Sequence, residues 1–499
     1  MHLGQSQRYF KLLAVVVVFT LVFLIFTRKN LPETSQNIVY RDTRENFINL
    51  VNERLASLNR TKTKDKNGLA IDLGIEDVDV LQEDESQLNI DDRMPSAYLR
   101  FHEPETNINK SYCKFNYDLP HDFQYRRYDF PPSERRKSPY RVLYNVTEAY
   151  NIEDVPKVTY ATHVTANFAY YIPELLRYWN GLISVAAFVP DLDAALFLEQ
   201  INQYCYCEPE MYRVSIHIVV PQSLPISKKD IYFDPPDSCT PIDSSKIQVY
   251  SNFDDTTIYP INVCRNVART SSLTKYVLLS DVQLMPSKDM ASGFLKMIET
   301  YDKTDPKEVF VLPIFEVAET EFIPETKEDL RTLIANSKAV YFHGMICKHC
   351  QKFPGIEEWV DTINSTEIEP FITLKRHYPY HRWEPIFIGT NAEPLFNEQL
   401  SWEGLQDKML NSLEMCVQDY DFTILDNAFL THWPGIRTEK LKTEDWRTPY
   451  INQNMAVYNV SIEVLKKKYT YIEGCSLNST MNLHYISKKH KKVNSEKEM

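Results

Sequence analysis

From Val158 onward the sequence alternates between two hydrophobic periods, and no other feature restricts the fold as much. VTYATHVT (158–165), LISVAAFV (182–189) and VSIHIVV (214–220) read as strands. FAYYIPELLRYW (168–179) and LDAALFLEQINQY (192–204) read as the helices between them. The pattern continues with a helix at INVCRNVART (261–270), a strand at YVLLSDVQL (276–284), a helix at KDMASGFLKMIETY (288–301) and a strand at VFVLPIFEV (309–317). Such alternation predicts an α/β fold: a mixed, mostly parallel sheet with helices on both faces. Ligands of these sheets bind beyond the carboxyl ends of the strands.

Asp281 stands at such an end, with Gln283 two residues on. Alternate residues of a strand face opposite ways, but a chain leaving its strand can turn both side chains onto one ion. Hard cations accept carboxylate and carboxamide oxygens. Taken alone, a strand-end Asp is more often a cap or turn residue. The 11 glycines form no G-x-G-x-x-G and no P-loop, so a diphosphate here would need a metal ion or Arg and Lys. H-E-x-x-H and G-x-S-x-G are also missing. In HGMICKHCQKFPGIEEW (343–359), His343, Cys347, His349 and Cys350 could hold zinc, although paired cysteines favour a disulfide in an oxidising compartment. His432, just past an apolar run, reads on spacing alone as structural.

The N-terminus bears on location. LLAVVVVFTLVFLIF (12–26) carries no charge, lies between basic residues, and lacks a small-x-small cleavage site after it. It is expected to be an uncleaved signal-anchor over 12–27, with residues 1–11 cytoplasmic. Sequons at Asn59, Asn109, Asn145, Asn364, Asn459 and Asn478 all follow it, which fits a lumenal body glycosylated at those positions. Nine cysteines suit disulfides, and the odd number leaves at least one unpaired within the chain. Residues 28–150 read as stem and transition, with an amphipathic helix at 40–58 and an acidic linker at 76–92. The folded domain is expected over 151–485, followed by a basic tail at 486–499. A net charge of -13 argues against nucleic acid as a partner.

Several segments together resemble glycosyltransferase family 49, over about Val158–Pro434. They are THVTANF…LLRYWNGLISVAAFVP, YPINVCRNVART, YVLLSDVQLMPS at the D-x-D position, CKHCQKFPGIEEW, WEPIFIG and DFTILDNAFLTHWPG, in the family's order. The resemblance implies a GT-A fold, Golgi residence as a type II membrane protein, a Mn²⁺ (or Mg²⁺) cofactor, and a UDP-sugar donor such as UDP-glucuronate. It also implies inverting transfer to a glycan or glycoprotein acceptor, in protein O-mannosylation. A homodimer or a complex with another glycosyltransferase is left open.

Carried over position by position, Asp281, Gln283 and His432 fall where metal ligands stand. Thr162, Asn262, Arg265, Asn266 and Asp281 fall where the donor is met, although Arg265 could equally be a structural ion-pair partner. Glu384 and Glu398 are the candidate bases that would take the acceptor's proton. Three departures remove charge: Gln283 for the second acid, Asn397-Glu398-Gln399 for D-E-R, and Gln351 for the His of C-x-x-C-H. They define an alternative, a non-catalytic family member that acts as a lumenal partner of another transferase.

Overall fold

The computed structural model describes residues 100–102, 111–116, 139–150, 153–224, 226, 230–240, 247, 249, 258–301, 307–346, 351–362, 365–437, 445–470 and 474–475. The apolar run at 12–26, the 40–58 helix, the acidic linker and the basic tail lie outside them, as do Cys347, His349, Cys350, Asn59, Asn109, Asn364 and Asn478. Among the described residues no helix is long and apolar enough to cross a membrane.

The central layer is a ten-stranded sheet. Its middle is parallel: Tyr276–Leu279, Val158–Val164, Leu182–Phe188 and Val214–Pro221 lie side by side. Every residue of the last three strands is buried, as expected for strands covered on both faces. The flanks differ from the expectation. Five of the nine junctions are antiparallel, so the sheet is mixed rather than mostly parallel. One antiparallel strand, Tyr140–Glu148, lies within the stretch assigned to stem and transition, yet it pairs along Val214–Pro221. The folded unit therefore begins before residue 151.

A second, four-stranded sheet contains Ala339–Tyr341, Ile314–Val317, Leu430–His432 and Leu284–Pro286. It corrects two single-strand expectations. YVLLSDVQL splits into Tyr276–Leu279 in the large sheet and Leu284–Pro286 in the small one. VFVLPIFEV splits the same way, because Pro313 has no N–H to continue a ladder; its carbonyl instead accepts from the Leu430 amide at 2.8 Å. A third crossing joins Asp421–Asp426 to Leu430–His432. Asp281 and Gln283 occupy the first of these crossings.

Among the described residues there are three disulfides: Cys113–Cys205, Cys207–Cys239 and Cys416–Cys475. Cys264 is a free, buried thiol whose pKa burial pushes far up, so it is inert packing rather than a nucleophile.

Candidate functional site

The helix Ile261–Thr270 organises the site. Val263, Cys264, Val267 and Ala268 pack with Ala161 and Val277 of the sheet. The opposite stripe, at i, i+3, i+4 and i+7, is Asn262, Arg265, Asn266 and Arg269. All four are buried, an arrangement tolerated only if each polar group is partnered. The partners are backbone and acids of the segment 390–407. Asn262 Nδ2 donates to the carbonyls of Asn397 and Asp407, at 2.8 and 3.1 Å. Asn266 Oδ1 accepts from the Phe396 amide at 2.9 Å, while its Nδ2 donates to the Phe396 carbonyl and to Glu398 Oε1, both at 2.8 Å. Arg269 donates to the Thr390, Glu393 and Pro394 carbonyls and pairs with Glu393. Asn262 and Asn266, expected at the donor, thus clamp a loop in this structure. Glu398, a candidate base, is buried in that clamp.

Arg265 is the one member of the stripe that reaches the strand ends. Its Nη1 pairs with Asp407 and also donates to Asn262 Oδ1 at 2.9 Å; its Nη2 lies 3.4 Å from Asp281 Oδ1. Asp281 is further met by His163 Nε2 at 3.2 Å on Oδ1 and by Lys408 Nζ at 3.0 Å on Oδ2. Burial alone would raise its pKa, but Lys408, the His163 hydrogen bond and Arg265 hold it well below the usual carboxylate range. The Asp281 backbone is fixed from behind, where the Tyr160 hydroxyl donates to the carbonyls of Asp281 and Leu284 at 3.0 and 2.7 Å. Arg265, Ser280, Asp281, Ile386, Phe396 and Lys408 all line one cleft.

The other expected residues fall at different distances from this centre. Gln283 is half-buried, its Nε2 3.5 Å from the Tyr171 hydroxyl. His432 is brought close by sheet pairing, standing opposite Leu284, three residues from Asp281. Its ring is buried with Nδ1 unpartnered, and burial lowers its pKa to about 4, with Arg437 acting the same way and Asp281 opposing. Glu384 is half-buried; burial raises its pKa, while Lys408 opposes. Thr162 points to the face opposite His163, as strand alternation requires, with its buried Oγ1 unpartnered. Of the described sequons, Asn145 is half-buried on its strand and Asn459 is exposed on the helix Thr448–Lys468.

His163 and Lys408 are the residues that sequence reasoning missed. His163 was legible in part: in VTYATHVT it is the one ionisable side chain on the face that also carries Ala161 and so turns toward the Ile261–Thr270 helix. Lys408 carried no signal, since it precedes the helix Met409–Val417, far from Asp281 in sequence.

An ion site can be tested against these positions. Asp281, Gln283 and His432 offer oxygen, oxygen and nitrogen, all acceptable to Mn²⁺ or Mg²⁺. Only Asp281 brings charge, and both its oxygens already accept from cationic or imidazole groups. Among the described residues, no three His, Cys, Asp or Glu ligand atoms cluster here; the one such group, His377, Cys416 and Cys475, contains a disulfide. The residues present do not add up to a two-carboxylate ion site.

A family model described as a glycosyl-transferase for dystroglycan matches residues 157–470, more than half the chain. The chain belongs to this family. Among its relatives is zebrafish (Danio rerio) beta-1,4-glucuronyltransferase 1, 27% identical over 62% of this chain and 73% of the relative. The human (Homo sapiens) protein of that name is 25% identical over 63% and 77%. Mouse (Mus musculus) xylosyl- and glucuronyltransferase LARGE2 is 24% identical over 56% of this chain and 34% of its own length. This membership makes the chain a glycosyltransferase of the glucuronyltransferase and LARGE type. A solved structure of S. aureus TarS residues 1–349 aligns with a TM-score of 0.32 and 12% identity, covering 64% of this chain and 67% of that one; at that distance it carries no argument.

Proposed function

We propose that this glycosyltransferase moves glucuronate from UDP-glucuronate to a glycan acceptor, with inversion at the anomeric carbon. The observation that supports it is the Asp281 centre, at the carboxyl end of a parallel strand and set in the cleft of a family whose relatives are named glucuronyltransferases. In this reading an acceptor hydroxyl attacks the anomeric carbon in line with the departing UDP. Glu384 takes the hydroxyl proton, and its raised pKa makes it a better base than an ordinary carboxylate. Arg265 and His163 hold Asp281 in place. The apolar run at 12–26 anchors the protein in the Golgi membrane with its body in the lumen, and the acceptor glycan is of the O-mannosyl class.

The test is a screen of UDP-sugars for UDP release with the full-length protein. Release from UDP-glucuronate by wild type, lost in Asp281→Ala, is the expected result. Tight donor binding without UDP release in any acceptor mixture would instead identify a non-catalytic partner of another transferase. The carboxamide of Gln283, in place of an acid, favours that second reading.

A further inference from the structure

We infer that Lys408, with Arg265 behind it, is the cation that meets the donor's diphosphate, so that nucleotide binding does not require a divalent ion. The inference rests on the proposed donor site and specifies its charge. An Asp-x-Asp pair with a divalent ion sums to zero formal charge. Asp281 with neutral Gln283 and one lysine also sums to zero, and the Arg265–Asp407 pair adds nothing net. The lysine ammonium stands 3.0 Å from Asp281 Oδ2 and lines the same cleft, so a protein cation already neutralises that oxygen.

Accessibility separates the two cations. The Arg265 side chain is 4% exposed and committed to Asp407, whereas that of Lys408 is 24% exposed and that of Asp281 35%. Lys408 can therefore swing its ammonium from Asp281 onto a phosphate oxygen, keeping one anionic partner throughout. Lys408 also stands at the N-cap position of the nine-residue helix Met409–Val417 without capping it by its side chain, and the helix's N-terminal amides add a partial positive charge beside it. Gln283 suits the same arrangement. A second carboxylate without a metal would repel the diphosphate, while a carboxamide can donate two N–H groups to it.

The experiment is calorimetric titration of the full-length protein with UDP and with UDP-glucuronate, in excess EDTA and in Mn²⁺. Wild type is expected to bind UDP in EDTA within about threefold of its affinity in Mn²⁺. Lys408→Met should weaken UDP and UDP-glucuronate alike by about tenfold or more, the scale of one lost charge-assisted contact, while Lys408→Arg stays within about threefold. Adding Gln283→Asp to Lys408→Met should make binding depend on Mn²⁺. Wild-type binding that appears only with Mn²⁺ overturns the inference and leaves the donor-site reading intact. Weakening of UDP-glucuronate alone also overturns it, because Lys408 would then serve the sugar carboxylate. Failure of UDP to bind under either condition removes both readings.

Discussion

Replacing Asn266 by leucine keeps the side-chain volume and deletes one clamp. Asn266 makes three hydrogen bonds across the interior: two with the Phe396 backbone and one with the Glu398 carboxylate. A neutral hydrogen bond is worth about 1 kcal/mol net and one to a charged group about 1.5–3, and stranded buried partners add to the loss. The expected destabilisation is about 4 kcal/mol, among the larger values for one substitution. Reversible urea unfolding of the full-length protein measures it. Glu398→Gln in the same background should recover part of the loss, since a neutral amide tolerates burial better than a carboxylate, and the two changes should depart from additivity by about 1–3 kcal/mol. The clamp reading fails if Asn266→Leu unfolds within about 1 kcal/mol of wild type while its affinity for UDP drops. That result would return Asn266 to the donor, where the family resemblance put it.

Two further outcomes follow from the titrating groups. If Glu384 is the base, Glu384→Gln should lower kcat by about 100-fold or more with donor affinity unchanged, and the acid limb of wild-type kcat/KM should fall above the ordinary glutamate range, the direction in which burial moves this carboxyl. A wild-type acid limb at or below the ordinary range would count against the assignment. His217, fully buried, accepts from the Asn145 amide on Nδ1 at 3.0 Å and meets Ser184 Oγ through Nε2 at 3.1 Å, and burial lowers its pKa to about 3. The folded ring stays neutral where the unfolded one gains a proton, so its contribution is full above about pH 6.5 and is lost as pH falls toward 3. Between pH 7 and pH 5 that amounts to about 2 kcal/mol. Denaturant midpoints should show a shallower pH dependence in His217→Gln; an unchanged slope would remove the assignment.

The core of the fold was readable because buried parallel strands and amphipathic helices write long, regular patterns. Residues 158–164, 182–188 and 214–221 could hardly be anything else. The breaks were not readable. Ser280 to Gln283 lies between apolar residues on both sides, and only the neighbouring sheet decides that the chain crosses there. Pro313 was a visible signal, since proline interrupts a ladder. The stripe Asn262, Arg265, Asn266 and Arg269 was also visible as polar residues at helical spacing. Its meaning was not, because a polar stripe normally faces water, and this one faces backbone groups that the sequence places more than 120 residues away. The same long separation hid Lys408. His432 came within three residues of Asp281 in register because the two crossings run side by side, a consequence of topology rather than local pattern.

The central claim is that the Asp281 cleft transfers a sugar rather than only holding a nucleotide. The most direct measurement is proton NMR of the product formed from UDP-glucuronate and an O-glycan acceptor, comparing wild type with Glu384→Gln. The account predicts a new anomeric doublet with the wide coupling of a β-linked glucuronate, growing in with wild type and about 100-fold or more slower with the variant. A narrow α coupling would contradict inversion. A donor that binds to saturation and stays intact through prolonged incubation with acceptor would contradict catalysis itself.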